Sequence, residues 1–137
     1  MQYILTAPSA LNTTITLPSS KSISNRALII GALCSPSGSV SHIADCDDTR
    51  AVQQALAGSG NSIDVGAAGT AMRFLTAYFA VQPGRVVTLD GTQRMRQRPI
   101  GVLVEALRSL GAGIEWLGHE GYPPLRVEGR ALRGGRL

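Results

Sequence analysis

The chain has 137 residues, 44% of them apolar and only 4% aromatic. That is the length of one compact domain, with a core that must come from Ala, Val, Ile and Leu. Charged residues at 16% and sixteen glycines exclude a charge-rich disordered chain and point to many tight turns. No apolar run approaches the ~18–20 residues of a membrane span, and Met1-Gln2-Tyr3 lacks the basic start of a secretion signal. These features lead us to expect a soluble, cytoplasmic protein with no membrane partner.

Thirteen bases against nine acids give a net charge of +4, and twelve of the bases are Arg. Arg forks match phosphate and carboxylate oxygens bidentately, whereas Lys is a compact point charge. A GC-rich genome explains the Arg excess without any functional meaning. It does not explain why the one lysine, Lys21, sits in a polar motif at a helix start. Cys34 and Cys46 lack the CxxC spacing of a zinc or redox site. Cys34 falls on an apolar helical stripe and reads as a reduced core thiol.

In chain order, residues 3–5 and 14–17 alternate as a pair of strands around the turn-prone Ala7-Pro8-Ser9. A helix over residues 22–34 carries the stripe Ile23, Ala27, Ile30, Cys34, stopped by Ser35-Pro36-Ser37-Gly38. Residues 39–43 read as a strand. Asp47 is placed to cap a second helix, with Asp48 in its first turn and Gly58 just past its end. A short strand at 63–65 leads through the Gly66-Ala67-Ala68-Gly69 loop into a helix over 70–80, apolar almost all round and hence buried. Residues 85–89 form a strand, Asp90-Gly91 a turn and 92–98 a basic loop. Pro99 at the first helical position opens a helix closed by Gly111. Strands at 114–116 and 125–127 flank a Gly/Pro turn. The expected layout is β, β, α, β, α, β, α, β, α, β, β, an α/β chain of repeated units. The Arg- and Gly-containing tail from Gly129 finishes no element.

Three helix starts share one chemistry. In Pro18-Ser19-Ser20-Lys21-Ser22-Ile23-Ser24-Asn25-Arg26, Ser22 and Arg26 share a face and Lys21 stands at the helix mouth. There, unpaired N–H groups and the macrodipole favour an anion. An ordinary Ser-capped helix with solvated charges also fits. In Gly66-Ala67-Ala68-Gly69-Thr70-Ala71-Met72-Arg73, small residues leave the backbone approachable, although the Lys of a P-loop is missing and a tight turn explains the glycines too. In Arg94-Met95-Arg96-Gln97-Arg98-Pro99, three Arg at alternate positions would share one side of an extended loop. A solvated basic loop, or one that binds nucleic acid, is the rival, but no aromatic residues interleave the Arg.

Asp45, Asp47 and Asp48 could hold a divalent cation, yet helix capping explains them more cheaply, and no metal or cofactor is expected. His42 and His119 have no partner pattern and read as surface or strand residues. Together the three helix starts imply a phosphate- and carboxylate-bearing ligand held by several loops.

Pro18-Ser19-Ser20-Lys21-Ser22-Ile23-Ser24-Asn25-Arg26-Ala27-Leu28 resembles the first signature of the 5-enolpyruvylshikimate-3-phosphate synthase family. Gly69-Thr70-Ala71-Met72-Arg73 resembles its second signature, and Arg98-Pro99-Ile100 its third basic site. Asp47-Asp48 falls where the family carries an acidic pair. The match runs from about Thr14 to Arg126 in order and spacing. The chain departs from the pattern at Ala67, where the family usually has Asn, and at Phe74, where Pro often follows the Arg.

The resemblance implies a two-lobed α/β (α+β) enzyme of repeated βαβαββ units, incomplete here. Residues 1–17 would lie near the hinge and second lobe, and 18–137 would form part of the N-terminal lobe. It implies transfer of the enolpyruvyl group of phosphoenolpyruvate to the 5-hydroxyl of shikimate 3-phosphate, with release of phosphate, in the route to chorismate and the aromatic amino acids.

By position, Lys21 would touch both substrates, and Ser22 and Arg26 would hold shikimate 3-phosphate. Gly69 and Arg98 would bind phosphoenolpyruvate, with Thr70 supporting that turn, Asp48 close by and Arg73 adding positive charge. Glyphosate would compete in the phosphoenolpyruvate pocket, and the full-length enzyme would be a monomer. The family's general acid and base have no counterpart in these residues, so the chain alone is expected to be inactive. The related UDP-N-acetylglucosamine enolpyruvyl transferase would show Lys-Asn at Lys21-Ser22 and a Cys in the basic loop, and this chain has neither.

Overall fold

Buried apolar residues recur with helical spacing in the middle of the chain and with a period of two near its end, and the packing follows that division. The computed structural model describes residues 3–10, 12–34 and 39–135. Its elements are α1 (Lys21–Cys34), α2 (Asp47–Ala57), β1 (Ser62–Asp64), α3 (Gly69–Ala80), β2 (Val86–Asp90), α4 (Gly101–Ser109), β3 (Gly113–Trp116) and β4 (Leu125–Glu128). A short 3-10 turn, Met95–Gln97, lies between β2 and α4.

The strands form one mixed sheet in the order β1-β2-β4-β3. β1 and β2 run parallel with Asp64 opposite Asp90, joined by α3 as a crossover. β4 runs antiparallel to both β2 and β3, pairing Leu89 with Leu125 and Ile114 with Val127. One sheet face, Val87, Leu89, Ile114, Leu125 and Val127, packs with Leu75, Met72 and Phe79 of α3 and Val104 of α4 into a single core. α3 is buried along most of its length, as its composition predicts.

Several expectations need correcting. Residues 3–5 and 14–17 form no strand. They are exposed coil, with Ile4 94% and Leu17 80% accessible, because no neighbouring strand is there to take their alternating side chains. Residues 39–43 are also irregular, and His42 sits there at φ 56°. The helix stop expected at residues 35–38 lies outside the described residues.

α1 turns the opposite way from its apolar stripe. Ser24, Asn25 and Leu28 are buried, while Ile23 is 70% and Ile30 59% exposed, and Cys34 is an exposed free thiol rather than a core one. On the inward face buried Ser24 Oγ accepts the Ala44 N–H at 2.9 Å, and Leu28 joins the core with Ile29 packed against it.

Asp47 is not the cap of α2. Cys46 takes that position in an extended conformation, and the Thr49 hydroxyl accepts its N–H at 3.2 Å. Pro99 likewise precedes α4 instead of opening it. Ile100 is the N-cap, its N–H bound to the Gly121 carbonyl at 2.9 Å, and Gly111 follows the helix at φ 103°. The basic loop is not extended either. The 3-10 turn replaces a period of two with one of three, so Arg94, Arg96 and Arg98 do not share a side.

Among the described residues, no helix is long and apolar enough to cross a membrane. The exit from β2 depends on a close approach. A Cβ on Gly91 would run into the Gly66 carbonyl oxygen and lie 2.9 Å from Met95 Cβ. Gly91→Ala is therefore expected to lower unfolding free energy by about 2 kcal/mol. A urea midpoint unchanged from wild type would contradict that.

Candidate functional site

Two groups of the predicted residues come together, one at the mouths of α1 and α2 and one at the mouth of α3. Ser20 caps α1, its Oγ facing the Ile23 N–H at 3.4 Å, so Lys21 is the first helical residue. Lys21 Nζ lies 3.5 Å from Asp48 Oδ1 in the first turn of α2. Asp48 is the less exposed of the two, and the lysine remains half open to solvent. Ser22 is exposed. Arg26 reaches back along its helix to donate to the Ser22 carbonyl at 2.9 Å, and its guanidinium stacks 5.5 Å from the Phe74 ring of α3. That stack links the two groups.

Asp45 and Asp47 both pair with Arg50, at 2.7 and 3.5 Å. With Asp48 on Lys21, the acidic cluster is occupied by cationic side chains. No His, Cys, Asp and Glu group suited to a metal occurs among the described residues.

At α3, Gly66 takes φ 58° and its N–H donates to Asp64 Oδ1 at 2.7 Å, which turns the chain sharply after β1. The helix starts at Gly69 with Ala68 as an N-cap that offers no side-chain acceptor, leaving its first N–H groups open to a ligand. The Arg98 guanidinium lies directly on Gly69, where an added Cβ would stand 2.5 Å from Cζ and 2.6 Å from Nη2. Arg98 Nη1 is also 3.4 Å from the Ala67 carbonyl. Ala67, Arg94, Met95 and Arg98 line a cleft of about 410 Å³.

Arg73 is committed elsewhere. It donates to the Gly69 carbonyl at 3.1 Å and the Pro99 carbonyl at 2.9 Å, tying the start of α3 to the end of the basic loop. Thr70 sits half-buried beside Gly69. His42 and His119 are exposed, as expected.

Sequence reasoning treated Asp90-Gly91 as a turn and missed its role. Asp90 Oδ1 accepts the Gly91 N–H at 2.8 Å and Arg96 Nε at 2.9 Å, and Oδ2 meets Arg96 Nη2 at 2.5 Å. The available signal was an acid at a strand end six residues before an Arg. Asn25, part of the first motif, proves to have a fully buried amide with neither polar atom bonded.

The Arg96 guanidinium, helped by the Gly91 N–H, holds the Asp90 carboxyl below its ordinary 3.8. The Thr49 hydroxyl, more than anything else, lowers the Cys46 thiol. A carboxyl lowered by folding adds stability that is fully present above its unfolded pKa and is lost as pH falls through the folded one. The melting temperatures of wild type and Asp90→Asn are therefore expected to differ steadily above about pH 5 and to converge below 3.8. A gap that persists into acid would contradict the assignment.

The end of a flexible side chain is all that opposes a Cβ at Gly69, so Gly69→Ala is expected to fold normally and push Arg98 aside. The readout is a shifted Arg98 Nε resonance with an unfolding free energy within about 1 kcal/mol of wild type.

The family model described as EPSP synthase (3-phosphoshikimate 1-carboxyvinyltransferase) matches residues 5–61 and 51–137. A 3-phosphoshikimate 1-carboxyvinyltransferase of Bacteroides fragilis is 56% identical over all of this chain and 33% of its own length. One from Bordetella pertussis is 43% identical over 87% of this chain and 32% of its own. The chain thus spans about a third of the length of these curated relatives. A solved EPSP synthase from Acinetobacter baumannii superposes with a TM-score of 0.73 at 23% identity, covering 90% of this chain and 34% of that one, which supports the mixed α/β fold. With its signatures at the mouths of α1 and α3 and the family match running over nearly its whole length, this chain belongs to the EPSP synthase family.

Proposed function

We propose that this chain supplies one half of an enolpyruvyl transfer site, the half that holds the anionic parts of phosphoenolpyruvate and shikimate 3-phosphate. The observation that carries this reading is the Arg98 guanidinium laid against Gly69 at the uncapped start of α3. A guanidinium fork and open helix amides converge there, the chemistry a carboxylate or phosphate needs. Lys21, half exposed at the mouth of α1, supplies a cation that an incoming anion can draw from Asp48. Ser22 and Arg26 bind shikimate 3-phosphate from the adjoining face of α1. Thr70 and Arg73 hold the shape of the phosphoenolpyruvate turn, Arg73 through its two carbonyl bonds.

In the reaction, the 5-hydroxyl of shikimate 3-phosphate gives up its proton as its oxygen bonds to C2 of phosphoenolpyruvate, and the methylene carbon gains a proton to become a methyl group. The tetrahedral adduct then loses that proton equivalent and phosphate, leaving the enolpyruvyl ether. Cations that meet the growing negative charge lower both barriers. Asp48 and Asp90 are each engaged with a cation and Asp64 with the Gly66 N–H, so the proton transfers are assigned to groups outside this half-site. In that arrangement residues 18–137 are part of an N-terminal lobe, and residues 1–17 lead toward a hinge and second lobe. Glyphosate competes with phosphoenolpyruvate at Arg98. The longer enzyme works as a monomer in the cytoplasm, where phosphorylated intermediates are kept.

The test is an NMR titration of the 137-residue chain with shikimate 3-phosphate, with inorganic phosphate as control. Amide shifts centred on Ser22, Asn25 and Arg26, larger than phosphate produces, are expected, together with no phosphate release when both substrates are present. Equal responses to the two ligands would refute the binding assignment, and turnover by the chain alone would refute the half-site.

A further inference from the structure

The three arginines of the basic loop are not equivalent, and their differences assign the middle one a separate task. Arg94 and Arg98 line the cleft beside Ala67, whereas Arg96 turns away to Asp90 at the end of β2. The Asp90 carboxylate receives both Arg96 nitrogens and the Gly91 N–H. It thereby closes a ring of seven residues, counting from Asp90 through Arg96 in the chain.

Inside that ring several backbone groups are tied down. The Thr92 N–H donates to the Gly66 carbonyl at 3.0 Å, the Arg96 N–H to the Thr92 carbonyl at 3.1 Å, and Met95 is 1% exposed beneath Gly91. The next bond out, from the Arg98 N–H to the Met95 carbonyl at 2.9 Å, delivers Arg98 to Gly69.

We propose that Asp90 and Arg96 form a clamp whose task is to position Arg98, so that Asp90 and Arg96 are positioning residues and Arg94 and Arg98 are the anion-facing pair. The clamp sits at a strand end in the sheet, a rigid support, and transmits that rigidity through the 3-10 turn to a long side chain that would otherwise sample many rotamers. A solvated ion pair on a free loop would hold no such register. Here one carboxylate, carried on the last residue of its strand, binds the N–H of the turn that follows and the guanidinium at once. This inference rests on the anion site proposed above, and the experiment separates the two.

The variants are Asp90→Asn, Arg96→Ala, the charge reversal Asp90→Arg with Arg96→Asp, and Arg98→Ala, all in the 137-residue chain. Two quantities are read: the nuclear Overhauser contact between the Arg98 side chain and Gly69 in the free protein, and the dissociation constant for phosphoenolpyruvate. Asp90→Asn and Arg96→Ala are expected to weaken the contact and raise the dissociation constant on the order of tenfold, because misplacing a positioned group by an ångström has effects of that size or more. The charge reversal is expected to restore much of both.

An intact contact in both single variants overturns the clamp whatever the ligand does. Loss of affinity in Arg96→Ala with the contact intact also overturns it, since Arg96 would then touch the ligand itself. If Arg98→Ala leaves phosphoenolpyruvate binding unchanged, the anion site fails while the contact measurement still judges the clamp.

Discussion

The structure is organised around an electrostatic conflict. The open start of a helix carries partial positive charge, and the Arg98 guanidinium, fully charged, rests on it at Gly69. Left to itself such a pair separates, since nothing in the contact is attractive except a long bond to the Ala67 carbonyl. The surrounding loop overrides that tendency by fixing the backbone at Arg98, and a bound anion would relieve it by sitting between the two. Like charges held together by neutral and acidic supports are the arrangement that the proposed anion site calls for.

Those supports come from the sheet. The parallel pairing of β1 and β2 sets Asp64 and Asp90 side by side at the strand ends, and each carboxylate then turns the chain that follows it. Two glycines complete the geometry by different means. Gly66 supplies a left-handed backbone, and Gly91 supplies room for the Gly66 carbonyl and Met95. From the other side, Arg73 spans the start of α3 and the approach to α4, so the loop is anchored at both ends.

Much of this was legible in the sequence, for reasons that differ by element. α2, α3 and α4 carry their own boundary chemistry and a dense apolar content, and each lies within two residues of its expected position. The last two strands announce themselves by alternation between turn residues. The readings that failed were those that needed knowledge of a partner. The alternation at residues 3–5 and 14–17 is real, but alternation makes a strand only beside another strand. Pro99 suits a helix start, yet its carbonyl serves Arg73 and its successor's N–H goes to Gly121. The alternate spacing of Arg94, Arg96 and Arg98 looked like one charged face until Asp90 claimed the middle member. For the proposed site, motif order singled out Lys21, Gly69 and Arg98, while Asp90 carries no signature outside the folded chain.

α1 is the exception to the general packing. Its inward face presents a serine, one leucine and an asparagine amide without a partner, while Ile23, Ile30 and Leu33 point outward. α3, by contrast, is sheathed in apolar contacts. Stability is consequently graded along the chain. The helix bearing Lys21, Ser22 and Arg26 is therefore expected to open while α3 and the sheet stay closed. Half of the proposed anion site would thus ride on the more loosely packed element and half on the one most deeply buried. In hydrogen–deuterium exchange these would separate as an early and a late population of amides, and the gap between them would measure how loosely the two halves of the site are joined.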